Sequence, residues 1–150
     1  MDFWALYNHI ESASKLSTGC DYSLFKEGIR PMWEDSLNEA GGKWQMQIDK
    51  RHRYTNLDRF WLEVMMCLIG EAFAENGVLV NGAVVNIRPK VDKISIWLSE
   101  SSENQKEAIM SIGRCLKNRL QLSDQEQISF EVHKDSMTRH SSMVKRKFFV

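Results

Sequence analysis

Residues 57–73 carry the pattern that most restricts what this chain can fold into. Leu57, Phe60, Trp61, Val64, Met65, Leu68, Ile69 and Phe73 recur at the i, i+3, i+4, i+7 spacing of one helix face. Such a stripe must be buried against another layer. Asn56 stands at the N-cap position, and Asp58 lies in the first turn, where the helix dipole favours a carboxylate. Segments of period two supply the other layer. Trp44, Met46 and Ile48 alternate with Gln45, Gln47 and Asp49, and Ile128, Phe130 and Val132 alternate further on. Residues 82–88 and 93–98 read as two strands of a hairpin joined by the turn 89–92. A second long helix is expected over about 103–120, with Ala108, Ile109, Ile112, Leu116 and Leu120 on one stripe, and a shorter amphipathic helix over 2–16. From Cys20 to Gly42 the pattern is irregular, with turns at Gly28, Pro31 and the Gly41-Gly42 pair. Strands grouped between long helices predict an α+β fold in which helices cover one face of an antiparallel sheet. The other face is then free for a ligand. With 150 residues, no internal repeat and no linker composition, residues 1–150 read as a single domain.

Composition removes several classes of function. The 20 basic and 20 acidic side chains cancel, so no long-range field gathers nucleic acid, and any such contact must come from a local cluster. No apolar run approaches the roughly 20 residues that span a bilayer, and the first residues lack a basic segment before an apolar one. Membrane and secretory readings are therefore set aside, and a cytoplasmic setting, or a nuclear one, is expected. The three cysteines, Cys20, Cys67 and Cys115, suit reduced thiols. None of the histidines at 9, 52, 133 and 140 has a neighbouring Ser or Cys motif, and no Cys or His pair has zinc spacing. A binding module is expected rather than an enzyme, with no metal and no cofactor.

Period-two alternation then decides which hairpin side chains share a face. Arg88, Lys93 and Trp97 fall together, opposite Ala83, Val85, Ile87 and Ile94, Ile96, Leu98, with Lys90 at the turn. Cations beside an indole suit a phosphate chain attached to a flat base. A solvated strand face with a partly covered tryptophan fits the same pattern. A second candidate is the loop Pro31-Met32-Trp33-Glu34-Asp35. There a tryptophan beside a carboxylate offers a ring face to a cationic planar ligand and an acceptor pair to its N–H edge. A loop tryptophan folded back onto the core is the plain alternative.

Several long segments resemble the eukaryotic translation initiation factor 4E family. They are Asp2-Phe3-Trp4-Ala5-Leu6-Tyr7-Asn8-His9-Ile10, Gly28-Ile29-Arg30-Pro31-Met32-Trp33-Glu34-Asp35, Leu57-Asp58-Arg59-Phe60-Trp61-Leu62-Glu63, Cys67-Leu68-Ile69-Gly70-Glu71, Gly82-Ala83-Val84-Val85-Asn86-Ile87-Arg88, and 93–97. The resemblance implies a curved antiparallel sheet with helices packed on one face, and a protein of translation initiation that binds the 7-methylguanosine cap of messenger RNA and recruits it to a scaffold. In that role Trp33 stacks on the methylated base, Glu34 accepts from guanine N1 and N2, Trp97 meets the N7-methyl group, and Arg88, Lys90 and Lys93 hold the triphosphate. It further implies a partner site for scaffold and 4E-binding repressor proteins carrying a helical Tyr-x(4)-Leu-Φ motif, at Trp4, Leu62, Glu63, Met66 and Gly70. Leu62 and Met66 are i, i+4 neighbours off the main core stripe, which agrees with an apolar patch for a partner helix.

The departures matter as well. The chain starts where members of that family reach their first helix, so their first strands, and the loop with the second stacking tryptophan, have no counterpart. Losing half of an aromatic sandwich removes roughly 1–3 kcal/mol, so a cap affinity one to two decades weaker is expected. A second reading follows: an isoform with weak or no cap binding that sequesters scaffold or repressor proteins through its helical surface. Lys43 stands where an arginine is common, and Gln45 and Gln47 make their strand more polar than usual. The basic tail holds Arg139, Lys145, Arg146 and Lys147.

Overall fold

Trp44, Met46 and Ile48 do alternate into the interior, on a strand β2 that runs Gly42–Asp49. The computed structural model describes residues 2–138 and 146–150. Its strands β1 (Asp21–Phe25), β2, β3 (Val80–Asn86), β4 (Val91–Leu98), β5 (Ser129–Val132) and β6 (Arg146–Phe149) form one curved six-stranded sheet in the order β1-β3-β4-β2-β5-β6. Every neighbouring pair is antiparallel. Cross-strand register lines up Leu24, Ala83, Ile96, Trp44, Phe130 and Phe148 in one transverse row, and Tyr22, Val85, Ile94 and Met46 in the next. This is the apolar face that the sequence predicts.

Two helices cover it. Helix α2 (Asp58–Ile69) buries Phe60, Trp61, Val64, Met65 and Cys67, and α3 (Lys106–Arg119) buries Ile109, Ile112 and Leu116, all in one cluster with the sheet. Lys117 and Arg119 in the last turn of α3 complement its dipole. The tightest joint is at Trp44, which is 0% exposed and donates its indole N–H to the Ile109 carbonyl at 2.9 Å. Its ring lies directly under Gly113, where a Cβ would come within 2.5 Å of the indole Cζ2. Among the described residues no helix is long and apolar enough to cross a membrane.

The structure corrects six local expectations, the first being Ile69, which is expected on the buried stripe and is 47% exposed on the outer side of α2. The helix expected over 2–16 shrinks to α1 (Phe3–Tyr7) and a 3-10 turn at Ala13–Lys15. The Asp58 carboxylate holds the Ser14 N–H at 2.9 Å and its hydroxyl at 2.5 Å, and this tertiary clamp replaces helix continuation. Asn56 is no N-cap, because it lies within a π-helical turn, Arg53–Leu57, that leads into α2. Phe73 is buried without being helical: α2 stops at Gly70, and the left-handed Glu71 (φ 53°) turns the chain back onto the core. Strand β1 lies inside the segment read as irregular. The hairpin connection lies at 87–90 rather than 89–92, since β3 ends at Asn86 and Val91 and Asp92 already belong to β4. Of the tail cations, Arg139 and Lys145 fall outside the described residues. Arg146 is paired opposite Glu131, and Lys147 reaches the Ser101 carbonyl and Glu103.

The Trp44–Gly113 contact leaves no room for a methyl group. Gly113→Ala is expected to cost about 1–3 kcal/mol by overpacking, lowering Tm by several degrees at roughly 2–4 °C per kcal/mol. A thermal melt with Tm unchanged contradicts the packing described.

Candidate functional site

The face of the sheet turned away from α2 and α3 carries the residues that alternate with the core rows. One transverse row reads Phe25, Gly82, Trp97, Lys43 and Glu131, the next Ser23, Val84, Ser95, Gln45 and Ser129, and a third Asp21, Asn86, Lys93 and Gln47. Alternation along β4 brings Lys93 and Trp97 together as expected, and Arg88, two residues past the end of β3, joins them. With Lys43, Gln45, Val84, Asn86 and Ser95 they line a hollow of about 270 Å³. Lys90 is exposed in the turn between β3 and β4 and does not line the hollow.

Trp97 is a rigid wall of this hollow. Phe25 meets its ring edge-on with centroids 5.5 Å apart, and they sit in register on either side of Gly82. A Cβ on Gly82 would collide with the Phe25 ring and the Leu24 carbonyl, so the aromatic pair depends on that glycine. On its other side the His133 ring lies tilted at 4.3 Å, and the indole N–H of Trp97 donates to the Ser95 hydroxyl at 3.2 Å. An aromatic held on three sides loses little freedom when a flat ligand lands on it.

The charges are mixed. Arg88 donates to the Asp21 carboxylate at 2.8 Å and to its own neighbour's carbonyl, Ile87, at 3.0 Å, while Asn86 donates to the same Asp21 oxygen at 2.8 Å. Burial pushes the Lys43 ammonium below its usual range, with Glu131 opposing the shift and Lys93 adding to it. The result is a cationic floor of Lys43, Arg88 and Lys93 with one carboxylate at each end. It suits an anionic chain lying along the strands.

The Trp33–Glu34 turn is built apart from this hollow, in the connection between β1 and β2. Asp35 accepts from the Arg30 and Leu37 N–H groups, both at 3.0 Å, and these donors hold its carboxyl below the usual carboxylate range. Asn38, 0% exposed, donates to the Arg30 and Met32 carbonyls, and Asn81 on β3 donates to Leu37 and Asn38. The turn is thus pinned to the sheet by a buried amide network. Glu34 is exposed, and Trp33 is half-buried, its indole N–H shielded without a hydrogen-bond partner among the described residues. On the helical side, Trp4 is 44% exposed and Met66 37%, Leu62 and Glu63 are half-buried, and Gly70 is exposed at the end of α2. Among the described residues, no group of three or more His, Cys, Asp or Glu could hold a metal ion.

Four residues beside the wall and floor escape sequence reasoning as site residues: Phe25, Lys43, Asp21 and His133. Alternation in β2 does mark Lys43, and alternation of Tyr22 and Leu24 with Asp21 and Ser23 could have revealed β1. Nothing in the sequence marks His133, whose burial exists only in the folded packing.

His133 also sets an acid limit on stability. It is 3% exposed, its Nε2 has no hydrogen-bond partner among the described residues, and burial followed by the Lys43 charge pushes its pKa down to about 4. The unfolded imidazole titrates near 6.5, so between these values the unfolded chain binds the extra proton. The contribution of His133 to stability is therefore fully present above pH ~6.5 and is lost as pH drops toward 4, by roughly 3 kcal/mol. Denaturant titrations of His133→Phe should show a flatter dependence between pH 4.5 and 7 than the parent chain. Equal slopes contradict this origin.

The family model for eukaryotic initiation factor 4E matches residues 1–148. The human protein "Eukaryotic translation initiation factor 4E type 1B" is 54% identical over 149 residues, covering 99% of this chain and 61% of its own length. The chain thus spans about three fifths of that relative. Ascaris suum eIF4E-3, solved with an m2,2,7G cap, superposes with a TM-score of 0.90 at 47% identity, covering 99% of this chain and 78% of that one. The same protein solved with an m7G cap gives 0.89. C. elegans eIF4E-3, solved with the 4E-binding protein Mextli and a cap analog, gives 0.88 at 44% identity, covering 99% and 79%. The sequence and the sheet with its helices agree, and the chain belongs to the eukaryotic initiation factor 4E family.

Proposed function

We propose that this chain is a cap-binding protein of translation initiation, with residues 1–150 acting as one unit that takes the 7-methylguanosine cap on the sheet face opposite α2 and α3. The observation that carries this reading is the convergence of Arg88, Lys93 and Trp97 on one hollow, with Lys43 beside them. Cap-bound structures of relatives support it. In this reading Trp33 stacks on the base, Glu34 accepts from guanine N1 and N2, Trp97 contacts the N7-methyl group, and Arg88, Lys90 and Lys93 neutralise the phosphates. N7-methylation places a positive charge on the ring, which strengthens both the indole contact and the carboxylate contact. Unmethylated guanine loses the first and much of the second. The protein acts by binding, without catalysis and without a cofactor, in the cytoplasm.

The helical side serves a protein partner in the same reading. Leu62, Met66 and Ile69 follow one another at i, i+4, i+7 on α2, the last 47% exposed, and Trp4 presents an exposed ring on α1. An apolar helix of the Tyr-x(4)-Leu-Φ type fits such a stripe. Scaffold and repressor proteins with that motif are the proposed partners, and the Mextli complex of a relative supports a protein partner of this kind. The exposed stripe also motivates the second reading, in which the chain retains partner binding with little cap affinity.

Intrinsic tryptophan fluorescence tests the primary reading. Saturable quenching is expected with m7GTP, with GTP at least about tenfold weaker, and Glu34→Ala should narrow the m7GTP advantage by roughly tenfold. Equal quenching by GTP and m7GTP contradicts cap binding. Replacing Leu62 and Met66 by Glu should abolish retention of a Tyr-x(4)-Leu-Φ peptide and leave m7GTP affinity unchanged. Peptide retention that survives those changes contradicts the partner site.

A further inference from the structure

The connection that carries Arg88 and Lys90 is tied to the helical layer by one buried ion pair. Asp92 is the second residue of β4, and its register partner Ile48 puts it on the core side of the sheet, opposite the hollow. It is 0% exposed. Its partner is Arg53, the first residue of the π-helical turn before α2, whose side chain is 13% exposed. The guanidinium grips both carboxylate oxygens, Nε to Oδ2 and Nη2 to Oδ1, each at 2.7 Å. The same Oδ1 also accepts the backbone N–H of Arg88 at 3.3 Å. One carboxylate therefore closes both ends of the 87–90 connection and is itself held from the layer beneath.

A carboxylate taken out of water goes where its cation is, and a two-pronged guanidinium contact dictates orientation as well as place. With Asp92 fixed on the core side, pleating puts Lys93 on the opposite side, facing the hollow, and the Arg88 backbone is drawn to the same strand end. We infer that Arg53 and Asp92 are positioning residues, setting the β3–β4 connection so that Arg88 and Lys93 converge on one phosphate chain. This rests on the cap-binding reading and deepens it. Neither residue touches the ligand; both act through the backbone that presents the cations. Their loss should therefore be felt in proportion to the phosphates on the ligand and hardly at all by the base.

That proportionality is what a general loss of stability would not produce. The measurement is the dissociation constant of the 150-residue chain for the 7-methylguanosine nucleoside and for m7GTP, each at low and high salt. Two variants are compared with the parent, R53M/D92L and R53K. The double variant removes both buried charges and leaves none unpaired, which favours folding, and R53K keeps the charge but loses the fork. The double variant should bind the nucleoside as the parent does, within about twofold, and m7GTP about tenfold more weakly, as for one lost charge-assisted hydrogen bond. Its salt dependence should be shallower, with R53K intermediate. An unchanged m7GTP-to-nucleoside ratio in the folded double variant overturns the inference and leaves cap binding intact, as does an equal loss for both ligands. If the double variant does not fold, R53K decides by the same ratio. A parent chain that binds neither methylated ligand overturns the cap reading, and this inference with it.

Discussion

The seating of Trp44 between β2 and α3 is the constraint on which the rest depends. Its ring is fully buried, stacked beneath Gly113 and bonded to the Ile109 carbonyl, so β2 has one register against the helical layer. Side chains on a strand alternate strictly, and a slip of one residue would turn the whole strand inside out. Fixing Trp44 inward therefore fixes Lys43 and Gln45 outward. Through β4 it fixes Ile96 inward and Trp97 outward, and through β3 Ala83 and Val84 likewise. The floor of the hollow is a consequence of how its underside packs.

The outward face is shaped by the same economy. Gly82 has no side chain, and the space it leaves is taken by Phe25 and Trp97 meeting across it. Lys43 is set apart from Lys93 by the intervening Gln45–Ser95 pair, and the cations are flanked by Asp21 on one side and Glu131 on the other. Such an arrangement offsets the mutual repulsion of the cations and leaves positive charge to respond to an anion. The outer stripe of α2 lies across the core from this face, so a ligand on the sheet and a helix on α2 occupy separate surfaces in the proposed reading.

Much of this was legible because it rests on strict periodicity. The hairpin is long enough for alternation to decide its two faces without tertiary information, and the apolar stripes run unbroken along α3 and along α2 as far as Leu68. Elements set by distant contacts were not. Asn56 has the chemistry of a cap, but the chain before α2 winds a π-helical turn from Arg53, and Asp58 is spent on Ser14. Strand β1 is five residues long and is followed by a turn-rich connection that hides its period. Asp92 reads as a turn residue because an isolated carboxylate rarely sits inside; only the sight of Arg53 explains it. The roles given to Trp33, Glu34 and the partner stripe came from family resemblance, since a loop tryptophan beside a glutamate has no unique meaning by itself.

The reading turns on the sheet face opposite α2 and α3 being the binding surface. A two-dimensional amide and indole NMR titration with m7GTP tests it most directly. Shifts are expected to concentrate at the indole N–H signals of Trp33 and Trp97 and at the backbone amides of Arg88 and Lys93, with the indole of Trp44 and the amides of α2 unmoved. Shifts confined to α2, or no saturable shift at all, would contradict it.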